Sequence, residues 1–212
     1  MKGISYVNEL NPVLALESLK TWMSHNPRYA GIKYNEDEYS DGTLMDEIMQ
    51  LMTTAEKWAP DDYNVPVVLG VLFNVSNDYE NAVHSFFRAS NIISHQQQQE
   101  MSIGEELYSV LNKVGASLAN ANQNQNAIEF YKKSLEIRPR FVRGWLNMGI
   151  AHANQNDYST ALKYYMHALE LNQNANHIYN YMRVALTSLN RLDLVQMCNS
   201  NDVHNLRSIF VM

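Results

Sequence analysis

The chain has 212 residues, of which 46% are hydrophobic, so it can bury a sizeable core in one or two domains. A net charge of −6 without a lysine- or arginine-rich block argues against nucleic acid as a partner, and the single cysteine, Cys198, excludes an internal disulfide framework. The longest apolar run, residues 65–73, is too short to span a bilayer, and no secretory signal is recognisable, so we expect a soluble intracellular protein.

Glycine, alanine and tyrosine recur with a period of 34 residues. Gly115 and Gly149 are 34 apart, and each is followed by an alanine after twelve residues and a tyrosine after sixteen. Glycine at position 8, small residues at 20 and 27 and an aromatic residue at 24 are typical of the tetratricopeptide repeat, a pair of antiparallel helices. Small residues allow the two backbones to approach, and the aromatic ring fills the space beside them.

The same numbering extends over most of the chain and predicts an all-α fold, a right-handed superhelical solenoid of antiparallel helix pairs. Met1 would stand at position 6 of a first helix, so we expect upstream sequence or another chain to cover this end. In chain order the predicted elements are a partial repeat at 1–27, a degenerate hinge repeat without its first helix at 28–60, a repeat at 61–94, a glutamine-rich linker at 95–107, repeats at 108–141 and 142–175, and a last repeat with a closing helix at 176–212.

Polar residues gather at the positions that face the concave surface of such a superhelix. Asn112, Ala116 and Asn120 follow each other at four-residue intervals, so they share one face of a helix. An asparagine amide both donates and accepts, so it can bind an extended peptide main chain, and alanine leaves room for that chain to approach. Asn147 occupies a position where asparagine also bonds neighbouring helices, so its structural and ligand-binding roles both stay open.

Cations at inward positions suit the carboxylate of a polypeptide C-terminus. Lys113 and Arg143 are such cations. Asn120 stands at position 13 of its repeat, which is also predicted to face inward, and Asn154 and Asn8 occupy the same position in other repeats. Together the amides and the cations predict a groove that holds the tail end of another protein.

Three segments, at 69–83, 111–123 and 138–155, resemble the C-terminal half of the type-1 peroxisomal targeting signal receptor family, and residues 5–23 resemble that family's third repeat. The resemblance implies a receptor without a cofactor that cycles between the cytoplasm and the peroxisomal membrane. It would bind C-terminal Ser-Lys-Leu-type signals of matrix proteins. Docking proteins would contact an N-terminal region that, like the first two repeats, is absent here. Transferred by position, the signal-binding residues are Asn8, Asn112, Lys113, Ala116, Asn120, Arg143, Asn147, Asn154 and Thr187, the last in place of a serine.

Two other classes of function compete with this interpretation. The seven histidines lack metal-ligand spacing, and neither a glycine-rich phosphate loop nor a G-x-S-x-G motif is present, so we do not expect an enzyme. A carboxylate clamp for chaperone tails needs lysine at position 5 and asparagine at position 9 of adjoining repeats, and the sequence does not fit it. A generic adaptor or scaffold that binds a different partner stays open as an alternative.

Overall fold

The computed structural model describes residues 12–35, 41–97 and 104–199. These residues form helices and no strands, so the predicted all-α fold is confirmed. The chain divides into two compact units, Met1–Ile103 and Gly104–Met212, with the division inside the predicted linker. No helix among the described residues is long and apolar enough to cross a membrane.

Unit 1 contains four described helices and unit 2 contains six, and consecutive helices within each unit pack against each other. The predicted linker is partly helical, because one helix continues to Gln97 and the next begins at Gly104. The helices of unit 1 are α1 (Pro12–His25), α2 (Leu44–Trp58), α3 (Asn64–Val75) and α4 (Tyr79–Gln97), and those of unit 2 are α5 (Gly104–Asn120), α6 (Asn124–Ile137), α7 (Val142–Asn154), α8 (Tyr158–Leu171), α9 (Ile178–Ser188) and α10 (Leu192–Asn199).

In three helix pairs the two helices pack closely where the glycine at position 8 contacts the aromatic ring at position 24. A Cβ atom added to Gly149 would lie only 2.4 Å from the ring of Tyr165, so even an alanine would collide with it. The equivalent distances are 2.5 Å for Gly115 and Tyr131 in α5–α6, and 2.7 Å for Gly70 and Phe86 in α3–α4. The steric reason given for the repeat pattern is therefore visible in three successive helix pairs.

An asparagine with positive φ lies in the turn that joins the two helices of each pair. Asparagine tolerates this left-handed conformation better than most residues with a Cβ atom. The turn between α7 and α8 is completed by Asp157, whose side chain accepts a hydrogen bond of 3.2 Å from the main-chain N–H of Thr160. The asparagines with positive φ are Asn77 (59°), Asn122 (61°), Asn156 (62°) and Asn190 (57°).

The degenerate repeat of unit 1 replaces its first helix by a turn around residues 27–31. Tyr29 fills the space, with only 1% of its surface exposed, and its hydroxyl donates a hydrogen bond of 2.6 Å to Asp62. Burial alone would raise the pKa of Asp62, but hydrogen bonds from Tyr29 and Asn64 and the charge of Arg28 lower it overall. This carboxylate thus ties the turn to the loop between α2 and α3.

Candidate functional site

Two of the predicted asparagines bind each other across α5 and α7, the first helices of consecutive repeats. The Asn147 amide nitrogen donates a hydrogen bond of 3.1 Å to the side-chain oxygen of Asn112. Asn112 is only 5% exposed, whereas Asn147 is half-buried. The inter-helix role considered for Asn147 is therefore present, and Asn112 shares it.

The bond between Asn112 and Asn147 leaves part of each amide unused. A primary amide has two N–H donors and a carbonyl oxygen with two lone pairs. Within the part of the chain that the structure describes, neither the amide nitrogen of Asn112 nor the side-chain oxygen of Asn147 has a hydrogen-bond partner. The pair therefore retains both N–H donors and carbonyl acceptors, which are the two kinds of group that a peptide unit of a bound main chain needs.

Lys113 and Arg143 bring two positive charges to the same helices. The Lys113 ammonium is half-buried and donates a hydrogen bond of 3.0 Å to the hydroxyl of Ser109. Burial lowers the pKa of Lys113, the nearby charge of Arg143 lowers it further, and Glu106 opposes both. Among the described residues neither cation forms an ion pair with a carboxylate. An anion from outside would relieve their mutual repulsion.

The other predicted site residues that the structure describes are not hydrogen-bonded to the pair of Asn112 and Asn147. Ala116 is half-buried one turn after Asn112, and Asn120 is exposed at the end of α5. The exposed Asn154 donates a hydrogen bond of 3.1 Å to Asn124 and so links the end of α7 to the start of α6. Thr187 is exposed, and its hydroxyl donates to the main-chain oxygen of Arg183 in its own helix. Asn8 lies outside the described residues.

Two polar partners of these residues were not singled out from the sequence. Ser109 precedes Lys113 by four residues, a spacing that places both side chains on one face of a helix and could have drawn attention to it. Asn124 offers no such signal, because it belongs to a different helix from Asn154. Contacts between helices depend on how the repeats pack, and the sequence gives only the positions within each helix.

Comparison with known proteins gives a consistent set of relatives. The family described as "Tetratricopeptide repeat" matches residues 108–141 and 142–175. A protein named "Peroxisomal targeting signal receptor" from Candida albicans is 26% identical over 98% of this chain and 37% of its own length. The protein of the same name from Saccharomyces cerevisiae is 26% identical over 70% of this chain and 24% of its own. Over most of its length this chain is therefore similar to the peroxisomal targeting signal receptors, and two of its segments match the tetratricopeptide repeat. The resemblance noted in the sequence is therefore confirmed.

A plant protein is also similar to this chain, over a shorter range. "Peroxisome biogenesis protein 5" from Arabidopsis thaliana is 36% identical over 40% of this chain and 11% of its own length. The chain spans 37% of the length of the first curated relatives that it matches.

Solved structures support the fold of this chain. A crystal structure of MamA has a TM-score of 0.62 and 10% identity, and covers 82% of this chain and 99% of MamA. YrrB, titled "a TPR protein with an unusual peptide-binding site", has a TM-score of 0.56 and 13% identity, and covers 79% of this chain and 81% of YrrB. At these identities the likeness shows the tetratricopeptide fold alone.

Unit 1 contains a separate cavity of about 160 Å³ between α1, the segment after it and α2. Its lining includes the apolar Met23 and Leu51 and the charged Lys20 and Glu47, whose ammonium and carboxylate lie 2.7 Å apart. None of the predicted signal-binding residues that the structure describes lines it, so the cavity is separate from the described part of the candidate site.

Proposed function

We propose that this chain binds the C-terminal ends of peroxisomal matrix proteins, as the cargo-binding part of an import receptor. The observation that carries the proposal is the amide pair of Asn112 and Asn147 on the same two helices as Lys113 and Arg143. The names of the relatives support the same role. The proposed activity is binding, without catalysis.

Each part of this group suits a different part of a polypeptide tail. The donors and acceptors left on the amide pair suit the C=O and N–H of an extended main chain. The two cations suit the terminal carboxylate, because charge-assisted hydrogen bonds are shorter and stronger than neutral ones. The proposed ligands are tails of the Ser-Lys-Leu type, loaded in the cytoplasm and delivered at the peroxisomal membrane, where docking proteins would be a second class of partner.

The test compares two fluorescein-labelled peptides that end in Ser-Lys-Leu, one a free acid and the other a C-terminal amide. Fluorescence anisotropy with the 212-residue chain should show tighter binding of the acid by about ten- to a hundredfold, as expected for a hydrogen bond to a charged group. Asn147→Ala should weaken both peptides, because it removes a main-chain contact from each.

Asn91→Ala is the matched control, since Asn91 is exposed on α4 in the other unit, and it should leave both affinities unchanged. Equal binding of acid and amide would refute capture of the carboxylate. Unchanged binding by the Asn147→Ala variant would refute the role of the amide pair.

A second candidate is an adaptor for tails of a different sequence. It is favoured by the contacts themselves, because the amides and the cations address the main chain and the carboxylate and do not read side chains. A library of labelled peptides that vary in the last three residues separates the two candidates. Selection of an unrelated tail, with the preference for the free acid intact, would support the adaptor.

A further inference from the structure

Ser109 stands directly beside the proposed carboxylate-binding lysine. It lies one helical turn before Lys113 on α5, and both residues are half-buried. The hydroxyl oxygen of Ser109 accepts a hydrogen bond of 3.0 Å from the Lys113 ammonium. A lysine side chain is long and flexible, so this bond holds its charged end in one place before any ligand arrives.

The hydroxyl of Ser109 has a hydrogen of its own to donate. A serine hydroxyl combines one donor with two acceptor lone pairs, and the bond from Lys113 occupies an acceptor. Several other helical serines and threonines of this chain donate to a main-chain oxygen in the preceding turn, as Ser188 does to Val184. Within the described part of the chain, no acceptor takes the hydrogen of Ser109.

We propose that Ser109 and Lys113 together bind the terminal carboxylate of the ligand, the hydroxyl donating to one oxygen and the ammonium to the other. Two donors 3.0 Å apart can reach both oxygens of one carboxylate. This inference rests on the proposed function and adds a neutral donor to the two cations. Ser109 then has two effects, a hydrogen bond of its own and the placement of Lys113.

The experiment measures the affinity of the 212-residue chain for the two labelled Ser-Lys-Leu peptides, the free acid and the amide. Ser109→Ala should weaken binding of the acid by about three- to tenfold and leave binding of the amide unchanged. Ser109→Thr keeps the hydroxyl and should restore the affinity for the acid. Ser159→Ala, at an exposed position on α8, is the matched control and should behave as the wild type.

A pH titration of binding provides a second readout that loss of packing would not change. The hydroxyl stabilises the charged form of Lys113, so in Ser109→Ala the fall in affinity for the acid should begin at lower pH than in the wild type. The groups that act on this lysine are Arg143 from α7 and Glu106 from its own helix, and both are unchanged in the variant.

The outcomes separate the inference from the proposed function. If the wild type prefers the acid and Ser109→Ala shows the same affinity and the same pH profile, Ser109 has no part in binding. If Ser109→Ala weakens the acid and the amide equally, the serine acts on the structure and the inference is overturned. If the wild type itself binds acid and amide equally, capture of the carboxylate fails, and the role of Ser109 fails with it.

Discussion

Lys113 lies in surroundings that disfavour its positive charge. Burial and the charge of Arg143 both lower the pKa of this lysine, and the Ser109 hydroxyl offers only a neutral acceptor. A residue that serves stability alone would gain from being apolar at such a place. In a ligand site the cost of burying this positive charge would be offset, because a bound carboxylate would supply the missing negative charge.

Lys113→Met should therefore separate binding from stability. The variant retains the apolar stem, so its free energy of unfolding at neutral pH should equal or exceed that of the wild type. Its affinity for a free-acid Ser-Lys-Leu peptide should fall by about ten- to a hundredfold. Urea denaturation and anisotropy measure the two quantities, and Lys163→Met on the exposed side of α8 is the control. A variant that is less stable but binds normally would contradict this view of Lys113.

The same lysine gives the wild type a specific pH dependence. Its pKa is lower in the folded chain than the ordinary 10.5, so between the two values the unfolded chain binds more protons. The stability contribution of Lys113 should consequently rise with pH across that alkaline window. The rise should be missing in Lys113→Met when the two proteins are compared by denaturation at several pH values.

The left-handed asparagines have a structural role that can be measured at Asn122. This residue is exposed, and no side-chain hydrogen bond is seen for it among the described contacts. Alanine is strained at positive φ and glycine is not, so Asn122→Ala should lower the free energy of unfolding by about 1 kcal/mol and Asn122→Gly should not lower it. Equal stability of the two variants in urea would show that the turn does not depend on this conformation.

The spacing of residues indicates which candidate residues share a helix face, but it does not indicate which of them contact each other. Four-residue intervals placed Asn112 and Ala116 on one face of α5, and position within the repeat placed Asn147 on the corresponding helix. The bond between Asn112 and Asn147 could not be read from these positions, because it depends on the distance and rotation between two repeats. For the same reason the sequence could not tell whether the asparagines predicted to face inward are free or paired.

At the scale of helices, the contact of glycine with an aromatic ring decides how closely two helices pair. Gly149→Ala should be destabilising by about 1–2 kcal/mol, because the new methyl group overlaps the buried ring of Tyr165 by more than the gain in helix propensity can offset. Gly31→Ala is the control, since its Cβ would lie at an ordinary 3.5 Å from the ring of Trp58. Thermal denaturation of both variants checks the prediction, which is wrong if the two shifts are equal.

The helix pairs were predictable because their determinants are local. In the pairs α3–α4, α5–α6 and α7–α8 the glycine and the aromatic ring lie sixteen residues apart, so one period of the pattern specifies one contact. The glutamine-rich segment was harder to interpret, because low complexity indicated a linker while glutamine is itself a good helix former. The structure continues α4 to Gln97 and begins α5 at Gly104, and so shortens the part without a described helix.

At the scale of the whole molecule, the two units differ in charge and in their share of the candidate site. Residues 1–103 contain 14 acidic and 6 basic residues, whereas residues 104–212 contain 8 acidic and 10 basic residues. Every predicted site residue that the structure describes belongs to the second unit. The unit with more basic than acidic residues therefore carries the proposed carboxylate site, and the excess of acidic residues lies in the other.

The net charge of the whole chain predicts how the proposed peptide ligands associate with it. A labelled peptide with basic residues before its Ser-Lys-Leu end should associate fastest at low salt, because the net negative charge attracts it over a distance that shrinks from about 30 Å at 0.01 M to about 10 Å at 0.1 M ionic strength. A matched peptide with acidic residues at the same places should show the opposite dependence. Stopped-flow anisotropy measures both rates, and dissociation should change less because it reports the short-range contacts. If the acidic peptide instead associates faster at low salt, the local cations, and not the charge of the whole chain, guide binding.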